Sequence, residues 1–565
     1  MIADSQSQGM TRTLFWAAIA GLVLYQLLGV FWGFELCDSG FYLTFYDHIY
    51  DAPDTVSYNF MYYLSGLLGG LVAKVLPAQC SMLLMRVAGV LVNLAIMLLL
   101  YRALRPHLGQ KALLLGFALV IIGYFKPVYT LSYDLFTSLF YVVALTLLCR
   151  GLSRGTLKLV MAAGFVVGLN CFNRLPNVVA LSLVVMVPLG SYYCRRSRAW
   201  LWRGVLLFVA GVAVAWGLVV AVMFALGHER LFLNNVKELF SIAQDQSGEQ
   251  SHSMGQMIGT QVKFYGRALW AGVKIGAVVL LGVLADARLR RWWLKVLAWV
   301  VLAVPLVWFI YRMHPLEVVW AFSFVGCVAV LLKGAAETRL LAWLGLAMLL
   351  LFPLGSDGAY NNGAIIAWMA APVAASVLCR HRVVVGFLCL FFAVVAVRTV
   401  KDGVYFDGGS LVEKTSAIEN KHAQGVLTTP ERKRIVDGLL TGIAPHVHEG
   451  DTLMAYGSLA TINHLTGTRP YIGCSWPEQL SAAALERKLK EADGPLPWLL
   501  QQKFNTIADV WPEPSDTYLM DYGEETVYHR NSKLKVMAQF RQEHGYVAVF
   551  ENSHFVLYAP AEKCR

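Results

Sequence analysis

The sequence has few charged residues, no cysteine motif and no internal repeat. Charged side chains make up only 15% of its 565 residues, whereas hydrophobic ones make up 57%. The mean hydropathy of +0.55 excludes an ordinary soluble globular protein and is typical of a chain that crosses a membrane many times. The ten cysteines show neither CxxC nor Cys/His ligand spacing, so they indicate no metal cage and no disulfide framework.

The excess of basic residues does not indicate nucleic-acid binding. The formal net charge is +11, but most Lys and Arg residues lie in short segments between apolar runs. That distribution orients a chain in a membrane, with the basic loops in the cytoplasm. Residues 1–12 are polar, and the apolar run after them is long for a signal peptide, so we expect a retained first span.

Hydropathy and loop charge together predict thirteen membrane spans. They are residues 13–33, 81–101, 112–125, 134–149, 157–173, 176–193, 204–226, 268–285, 295–311, 316–332, 340–354, 363–379 and 383–399. The apolar run 58–76 is not counted, because a span there would place the basic loop 102–111 outside and invert every later loop. We therefore predict that 58–76 is a juxtamembrane or re-entrant helix on the outer face.

Composition divides the chain near residue 400. Residues 1–400 hold the spans, and residues 401–565 are more polar and long enough for one domain of roughly 150 residues. The fold class is thus an α-helical polytopic membrane protein with a C-terminal soluble α/β domain, which the topology places outside. The elements predicted for this domain are helices at 430–445, 477–493 and 532–543, strands at 451–456 and 505–511, and a closing hairpin at 546–560.

The first outer loop, residues 33–53, carries carboxylates at the water-facing mouth of the first span. After Glu35 and Asp38, aromatic residues including Tyr42 recur at helical spacing, which predicts an amphipathic helix at 38–52 lying along the interface. A carboxylate at this boundary can deprotonate an acceptor hydroxyl, and Asp38 is the candidate base. Asp38 can instead cap the helix. Glu35 can orient Asp38, favour its protonated form or remain a solvated loop residue.

Other outer segments offer further site residues. Asp134 begins an apolar span, where a carboxylate is costly unless it faces a cavity or a partner; an N-cap or an interfacial position is the alternative. Asp47, His48 and Asp51 match no metal motif, so we expect a solvated helix face there. No metal ligand and no cofactor is assigned, and the use of a divalent metal is left open.

A phosphate group needs cationic partners, and the outer segments supply them. Arginine binds phosphate through paired hydrogen bonds, although basic residues at helix ends also snorkel to lipid head groups. The candidates for binding a donor phosphate are Lys126, Arg174, Arg267 and Arg312. The glycine-rich turn 355–363, GSDGAYNNG, can bring Asp357 and Asn361 to a substrate or can be a plain tight turn. Tyr42, on the amphipathic helix, is a third substrate-binding candidate.

The order of these features resembles a known superfamily. The first span, the outer loop with its acidic pair, the amphipathic helix, SYNFMYYLSGLLGGL and a span opening with MRVAGVLVNLAIMLLLYRALR resemble the GT-C superfamily of polyprenyl-phosphate-sugar glycosyltransferases. The resemblance is to the protein O-mannosyltransferase and aminoarabinose-transferase branch and covers about the first 200 residues. It implies that Asp38 is the base toward the acceptor and that Asp134 is the acidic residue of the second outer loop. In the family two acidic residues are often adjacent, whereas Ser39 follows Asp38 here.

The resemblance implies a membrane glycosyltransferase. Such an enzyme takes a sugar from a polyprenyl-phosphate donor and transfers it to a hydroxyl of a glycan, lipid or protein acceptor on the periplasmic face. Membrane lipids, and no nucleic acid, are its other expected partners. The compact loops and the absence of an N-glycosylation sequon favour a bacterial inner membrane.

Two other functions fit part of the pattern. One is a lipid or solute transporter or flippase, and the other is a non-catalytic assembly or sensor protein. Carboxylates at the outer surface rather than at mid-membrane, and the absence of an inverted repeat, favour the enzyme over the transporter.

The predicted topology can be tested by labelling. We expect a single cysteine placed within 102–111 to be protected from a membrane-impermeant thiol reagent in intact cells, and one placed within 401–565 to react. Labelling of the first position from outside would contradict the predicted orientation of every later loop.

Overall fold

The computed structural model describes residues 11–127, 129–244, 254–354, 356, 363–519 and 530–564. In the first 402 residues the described elements are helices. The α-helices are α1 Arg12–Gly29, α2 Asp38–His48, α3 Tyr63–Val75, α4 Ser81–Leu104, α5 Gln110–Gly123, α6 Tyr133–Arg154, α7 Leu157–Asn173, α8 Met186–Tyr193, α9 Arg198–Leu226, α10 Glu229–Gln244, α11 Met254–Arg288, α12 Trp292–Arg312, α13 Pro315–Lys333, α14 Ala336–Leu351, α15 Ala370–Leu378 and α16 Arg382–Asp402. Three 3-10 segments, Pro53–Tyr62, Leu175–Val185 and Ala364–Ala367, precede α3, α8 and α15.

Nine helical segments of the described chain are long and apolar enough to cross a membrane. They are α1, α4, α6, α9, α11, α12, α13, α16 and the run Leu175–Tyr193 that ends with α8. The other predicted spans match shorter helices: α5 has 14 residues, α7 has 17, α14 has 16 and α15 only 9. The chain therefore has the helices expected of an integral membrane protein, and the total of thirteen spans stays a prediction.

The predicted amphipathic helix is buried on both of its sides. It forms as α2, which ends at His48 rather than at 52, and Ser39 to Tyr46 are all buried. The polar side contacts the C-terminal part: Thr44 Oγ1 donates to the Ala460 carbonyl at 3.1 Å, and His48 Nε2 lies 3.1 Å from the Thr468 carbonyl. The expected solvated face holds for Asp51, which is exposed, but protein partly covers Asp47 and His48. The segment 58–76 forms the end of a 3-10 helix followed by α3.

The C-terminal part contains a mixed sheet of five strands flanked by helices. Its helices are α17 Pro430–Ile443, α18 Ala460–Thr466, α19 Ala482–Glu491 and α20 Arg530–Glu543. Its strands are β1 Ser416–Ala417, β2 Leu427–Thr428, β3 Thr452–Tyr456, β4 Arg469–Pro470, β5 Trp498–Gln502, β6 Val547–Glu551 and β7 Phe555–Ala559. The sheet has the order β4-β3-β5-β7-β6, with β3 parallel to β4 and β5, and β7 antiparallel to β5 and β6.

Most sequence predictions for this part are confirmed, and one strand is wrong. The helices at 430–443 and 530–543, the strand β3 and the closing hairpin of β6 and β7 form as predicted. The strand predicted at 505–511 does not form; β5, with the sequence WLLQQ, lies just before it and is buried along its whole length. A central strand covered on both faces lacks the polar alternation that identifies half-buried strands. Residues 505–511 instead form a loop in which Trp511 Nε1 donates to the Thr506 carbonyl at 3.2 Å.

The C-terminal part is joined to the chain between α1 and α2. Leu427 N donates to the Phe31 carbonyl at 2.6 Å, and Gly33 N donates to the Leu427 carbonyl at 2.9 Å. Thr461 N then donates to the Leu36 carbonyl at 2.9 Å. A Cβ added to Gly40 would lie 2.1 Å from the Thr461 backbone, so α2 and α18 approach this closely only because residue 40 has no side chain.

A hydrogen-bonded chain of side chains strengthens the same interface. His464 Nδ1 lies 2.5 Å from the Asp47 carboxylate and His464 Nε2 lies 3.0 Å from Ser81 Oγ. Ser81 Oγ is also 3.1 Å from His422 Nδ1. Burial, and next the neighbouring His464, lower the pKa of His422 to about 4, so His422 is neutral near pH 7. These contacts join α2, α4 and α18, and they explain why Asp47 is only partly exposed.

The close contact at Gly40 predicts that no side chain larger than hydrogen is tolerated at this position. We expect Gly40→Ala to destabilise the protein by about 3 kcal/mol, because the methyl group meets backbone rather than a movable side chain. The matched control is Gly438→Ala in α17, where the added Cβ meets no atom within 4 Å and should stabilise the helix by about 1 kcal/mol. Thermal unfolding in one detergent measures both. Equal stability of the two variants would contradict the contact.

Candidate active site

Asp38 is the first residue of α2 and lies half-buried at the base of the C-terminal part. The Tyr405 hydroxyl donates to Asp38 Oδ2 at 2.7 Å. The neighbouring Cys37 is fully buried. Burial raises the pKa of the Cys37 thiol well above its usual value, and Glu35 and Asp38 add to the rise, so Cys37 remains a thiol. The ionisable group that α2 presents at this point is therefore Asp38.

Glu35 caps the helix that carries Asp38. Its side chain is only 3% exposed, and its two carboxylate oxygens accept the N–H groups of Cys37 and Ser39, both at 2.5 Å. A carboxylate at a helix N-terminus satisfies N–H groups that lack partners in the helix and interacts favourably with the helix dipole. The N-cap position of the helix is Cys37. The Glu35 side chain therefore performs the capping role that the sequence also allowed for Asp38.

Asp134 lies in the first turn of α6 and is paired with Arg174. Arg174 Nη1 lies 3.2 Å from Asp134 Oδ1, and Arg174 Nη2 donates to the Leu354 carbonyl at 3.1 Å. The guanidinium is only 3% exposed. The N-cap of α6 is Ser132, whose hydroxyl accepts from Leu135 N. The structure thus brings Arg174 to Asp134 as a charge partner.

Tyr42 lies near both carboxylates. Burial raises the pKa of Tyr42 well above its usual value, and Tyr133, Asp38 and Asp134 then add to the rise in that order. Both carboxylates are therefore close enough to act on the Tyr42 hydroxyl. The Tyr42 ring meets the Tyr133 ring edge-on with centroids 5.3 Å apart, and Tyr133 stacks on Tyr62 at 3.9 Å. Aromatic side chains thus form one wall beside the carboxylates.

Cationic side chains gather around His314, the N-cap of α13. Burial, and then Arg398, Arg267 and Lys126 in that order, lower the pKa of His314 to about 4. The imidazole is therefore neutral near pH 7 among three cations.

Each of these cations has a carboxylate partner in the structure. Arg267 is 53% exposed and pairs with Glu317 at 3.0 Å, and Lys126 pairs with Asp509 at 2.5 Å. Arg398 lies 3.5 Å from Asp402 and donates to the Met313 carbonyl at 2.9 Å.

The predicted site residues thus fall into two groups and a remainder. Asp38 and Asp134 both lie near Tyr42, and Arg174 is paired with Asp134. Lys126 and Arg267 belong to the cationic group at His314. Arg312 is exposed at the end of α12. Asp357 and Asn361 lie outside the described residues.

Sequence reasoning missed Tyr405 and Arg398. Arg398 lies within the predicted last span, where a basic residue is a signal of a buried partner. Tyr405 gave no such signal, because only the folded chain brings it to Asp38.

The described side chains include no group of three or more His, Cys, Asp and Glu residues that could hold a metal ion. A divalent ion would need at least that many ligands from the protein or from a substrate phosphate. The chemistry that these residues can perform themselves is proton acceptance by Asp38 and neutralisation of a nearby anion by the cations.

The chain has little measurable similarity to known proteins. No protein-family model matches it, and no curated protein sequence matches it. Among solved structures, it is similar to the oligosaccharyltransferase of Archaeoglobus fulgidus, crystallised with a disulfide-tethered acceptor peptide that contains the NVT sequon. The identity is 11% and the TM-score 0.42, over 98% of this chain and 74% of that one. A likeness at this level does not assign an activity.

The Asp134–Arg174 pair can be measured with a double-mutant cycle. Arg174→Gln leaves the Asp134 carboxylate without its guanidinium, and we expect a loss of about 3 kcal/mol in unfolding free energy. Combining it with Asp134→Asn should recover part of that loss, because no charge is then left unpaired. Thermal unfolding of the two single variants and the double variant in detergent gives the coupling. Strict additivity of the two changes would show that the side chains do not interact.

Proposed function

We propose that the chain is a GT-C-type membrane glycosyltransferase. It transfers a sugar from a polyprenyl-phosphate donor to an acceptor hydroxyl at the outer, periplasmic face. The observation that carries the proposal is that Asp38 and Asp134 both lie near Tyr42, with Asp38 hydrogen-bonded to Tyr405 of the C-terminal part. Two carboxylates at one position with different partners can take different roles.

Asp38 is the proposed general base. The neutral hydroxyl of Tyr405 donates a hydrogen bond to its carboxylate, which in the ionised form can accept a proton. The acceptor hydroxyl gives its proton to Asp38 as the oxygen attacks the anomeric carbon of the donor sugar. Direct displacement of this kind inverts the configuration at that carbon.

Asp134 is proposed to orient substrate rather than to accept the proton. It forms an ion pair with a buried arginine, which fixes the position of the carboxylate. A carboxylate held in this way can accept hydrogen bonds from sugar hydroxyls. The adjacent ring of Tyr42 offers a flat apolar surface to the same substrate.

The cationic group around His314 is the proposed site for the lipid phosphate. A leaving phosphate develops negative charge that fixed cations stabilise, and Arg267 is exposed enough to reach an incoming lipid head group. Lys126, Arg267 and Arg398 would then exchange or share their present carboxylate partners with the phosphate. The sequence suggested Arg174 for phosphate binding. We propose instead that Arg174 holds Asp134 in place through their ion pair.

The decisive variant is Asp38→Asn. We expect sugar transfer to fall by roughly two to four orders of magnitude, because asparagine keeps the shape but cannot accept the proton. The assay uses the protein in lipid vesicles with polyprenyl-phosphate-linked sugars and measures release of the free lipid phosphate. Asp134→Asn should cause a smaller loss. Donor binding by Asp38→Asn should equal that of the wild type.

The matched control is Asp493→Asn, which makes the same chemical change at an exposed position of the C-terminal part and should leave the rate unchanged. Normal transfer by a well-folded Asp38→Asn protein would remove Asp38 as the base. If the wild-type protein consumes none of the donors but moves labelled lipid across the vesicle membrane, the chain is a flippase and the proposal is wrong.

A further inference from the structure

Tyr405 lies in a tight turn whose backbone is strained. Val404 N donates to the Asp407 carbonyl and Asp407 N donates to the Val404 carbonyl, both at 3.1 Å. The two central residues are therefore Tyr405 and Phe406. Phe406 has φ +46°, in the left-handed region that glycine adopts easily and a bulky side chain does not. Strain of this kind persists only where the surrounding structure enforces it.

A buried polar cluster enforces the turn. Asp407 is 1% exposed, and its carboxylate accepts from Phe34 N at 2.9 Å, Thr428 Oγ1 at 2.8 Å and Lys414 Nζ at 2.7 Å. Arg432 Nη1 donates to the carbonyls of Phe406 at 2.5 Å and Phe34 at 2.8 Å. The turn and the loop that leads into α2 are therefore fixed to each other through shared partners.

The turn brings the Tyr405 hydroxyl to the Asp38 carboxylate. Tyr405 OH reaches Asp38 Oδ2 at 2.7 Å, a length typical of a strong O–H···O⁻ hydrogen bond. Burial raises the pKa of Tyr405 well above its usual value, and Asp38 adds to the rise, so the phenol stays protonated and can only donate to the carboxylate.

We propose that Tyr405 is a positioning residue that holds Asp38 in one orientation and in its ionised form, and that the strained turn exists to deliver its hydroxyl. This inference rests on the proposed function of Asp38 as the base. Among the described residues, the titratable groups close to Asp38 include Glu35 and Cys37 beside it in the chain, Tyr42 on α2, Tyr133 on α6 and Tyr405. Asp134 is also close to Tyr42.

A hydrogen bond donated to an ionised carboxylate favours the ionised form over the protonated form, which cannot act as a base. Removing the donor should favour the protonated form, and the acid limb of the rate profile should then move to higher pH.

The experiment compares pH–rate profiles of kcat/KM for donor consumption in vesicles. We expect Tyr405→Phe to move the acid limb up by about one pH unit, the size expected for a lost hydrogen bond to a charged group. Replacing Tyr405 with 3-fluorotyrosine, whose phenol is more acidic and donates more strongly, should move the limb to lower pH. Opposite shifts from two residues of nearly the same shape would not arise from a packing change.

The matched control is Tyr546→Phe, which removes a hydroxyl that donates to the Pro497 carbonyl at 3.0 Å in the C-terminal part. Its acid limb should coincide with that of the wild type. If Tyr405→Phe lowers the rate equally at every pH, or if neither Tyr405 variant moves the limb, Tyr405 only supports the fold and the inference is overturned. Full activity of Asp38→Asn would instead show that the proposed function has failed.

Discussion

The buried carboxylate of Asp407 determines where the first outer loop lies. It accepts the Phe34 N–H together with the side chains of Lys414 and Thr428, and Arg432 lies 3.6 Å away. A buried charge is tolerated only when hydrogen bonds and opposite charges compensate it, and removing one of them is far more costly than a surface change. This requirement fixes the end of the loop that continues through Glu35 to Asp38. The orientation of Asp38, the candidate base, thus depends on the hydrogen bonds of Asp407, a residue distant from it in the sequence.

Around the site, buried residues and more exposed residues have different roles. Residues that hold backbone, such as Glu35 and Arg432, are buried and make several hydrogen bonds each. Asp38 and Arg267 are more exposed and have partners that a substrate could replace. Buried groups fix the geometry, and accessible groups remain for chemistry, which is the arrangement that preorganised sites require. The proposed base and Arg267, one of the proposed phosphate-binding cations, follow this rule.

Local sequence patterns predicted the long helices and the acidic loop, because hydropathy and helical spacing depend on residues that are near one another in the chain. They also predicted most of the C-terminal helices and strands. They failed for β5, whose burial on both faces removes the alternating pattern, and for the polar side of α2, which resembles a solvated face until α18 covers it. Tyr405 and the pairing of Asp134 with Arg174 depend on contacts between distant segments, and a single sequence carries no signal for such contacts.

The contact between Gly40 and Thr461 also determines when the site can assemble. Ribosomes make α2 early, yet the backbone that covers it belongs to α18, near the other end of the chain. Domains form in the order in which their residues become available, so α2 must remain uncovered until the C-terminal part has been synthesised and, in the predicted topology, exported. Asp38 therefore lacks its Tyr405 contact throughout membrane insertion. Under the proposed function, a nascent chain would be unable to transfer sugar before its C-terminal part is made, and a chain terminated before that part would be inactive.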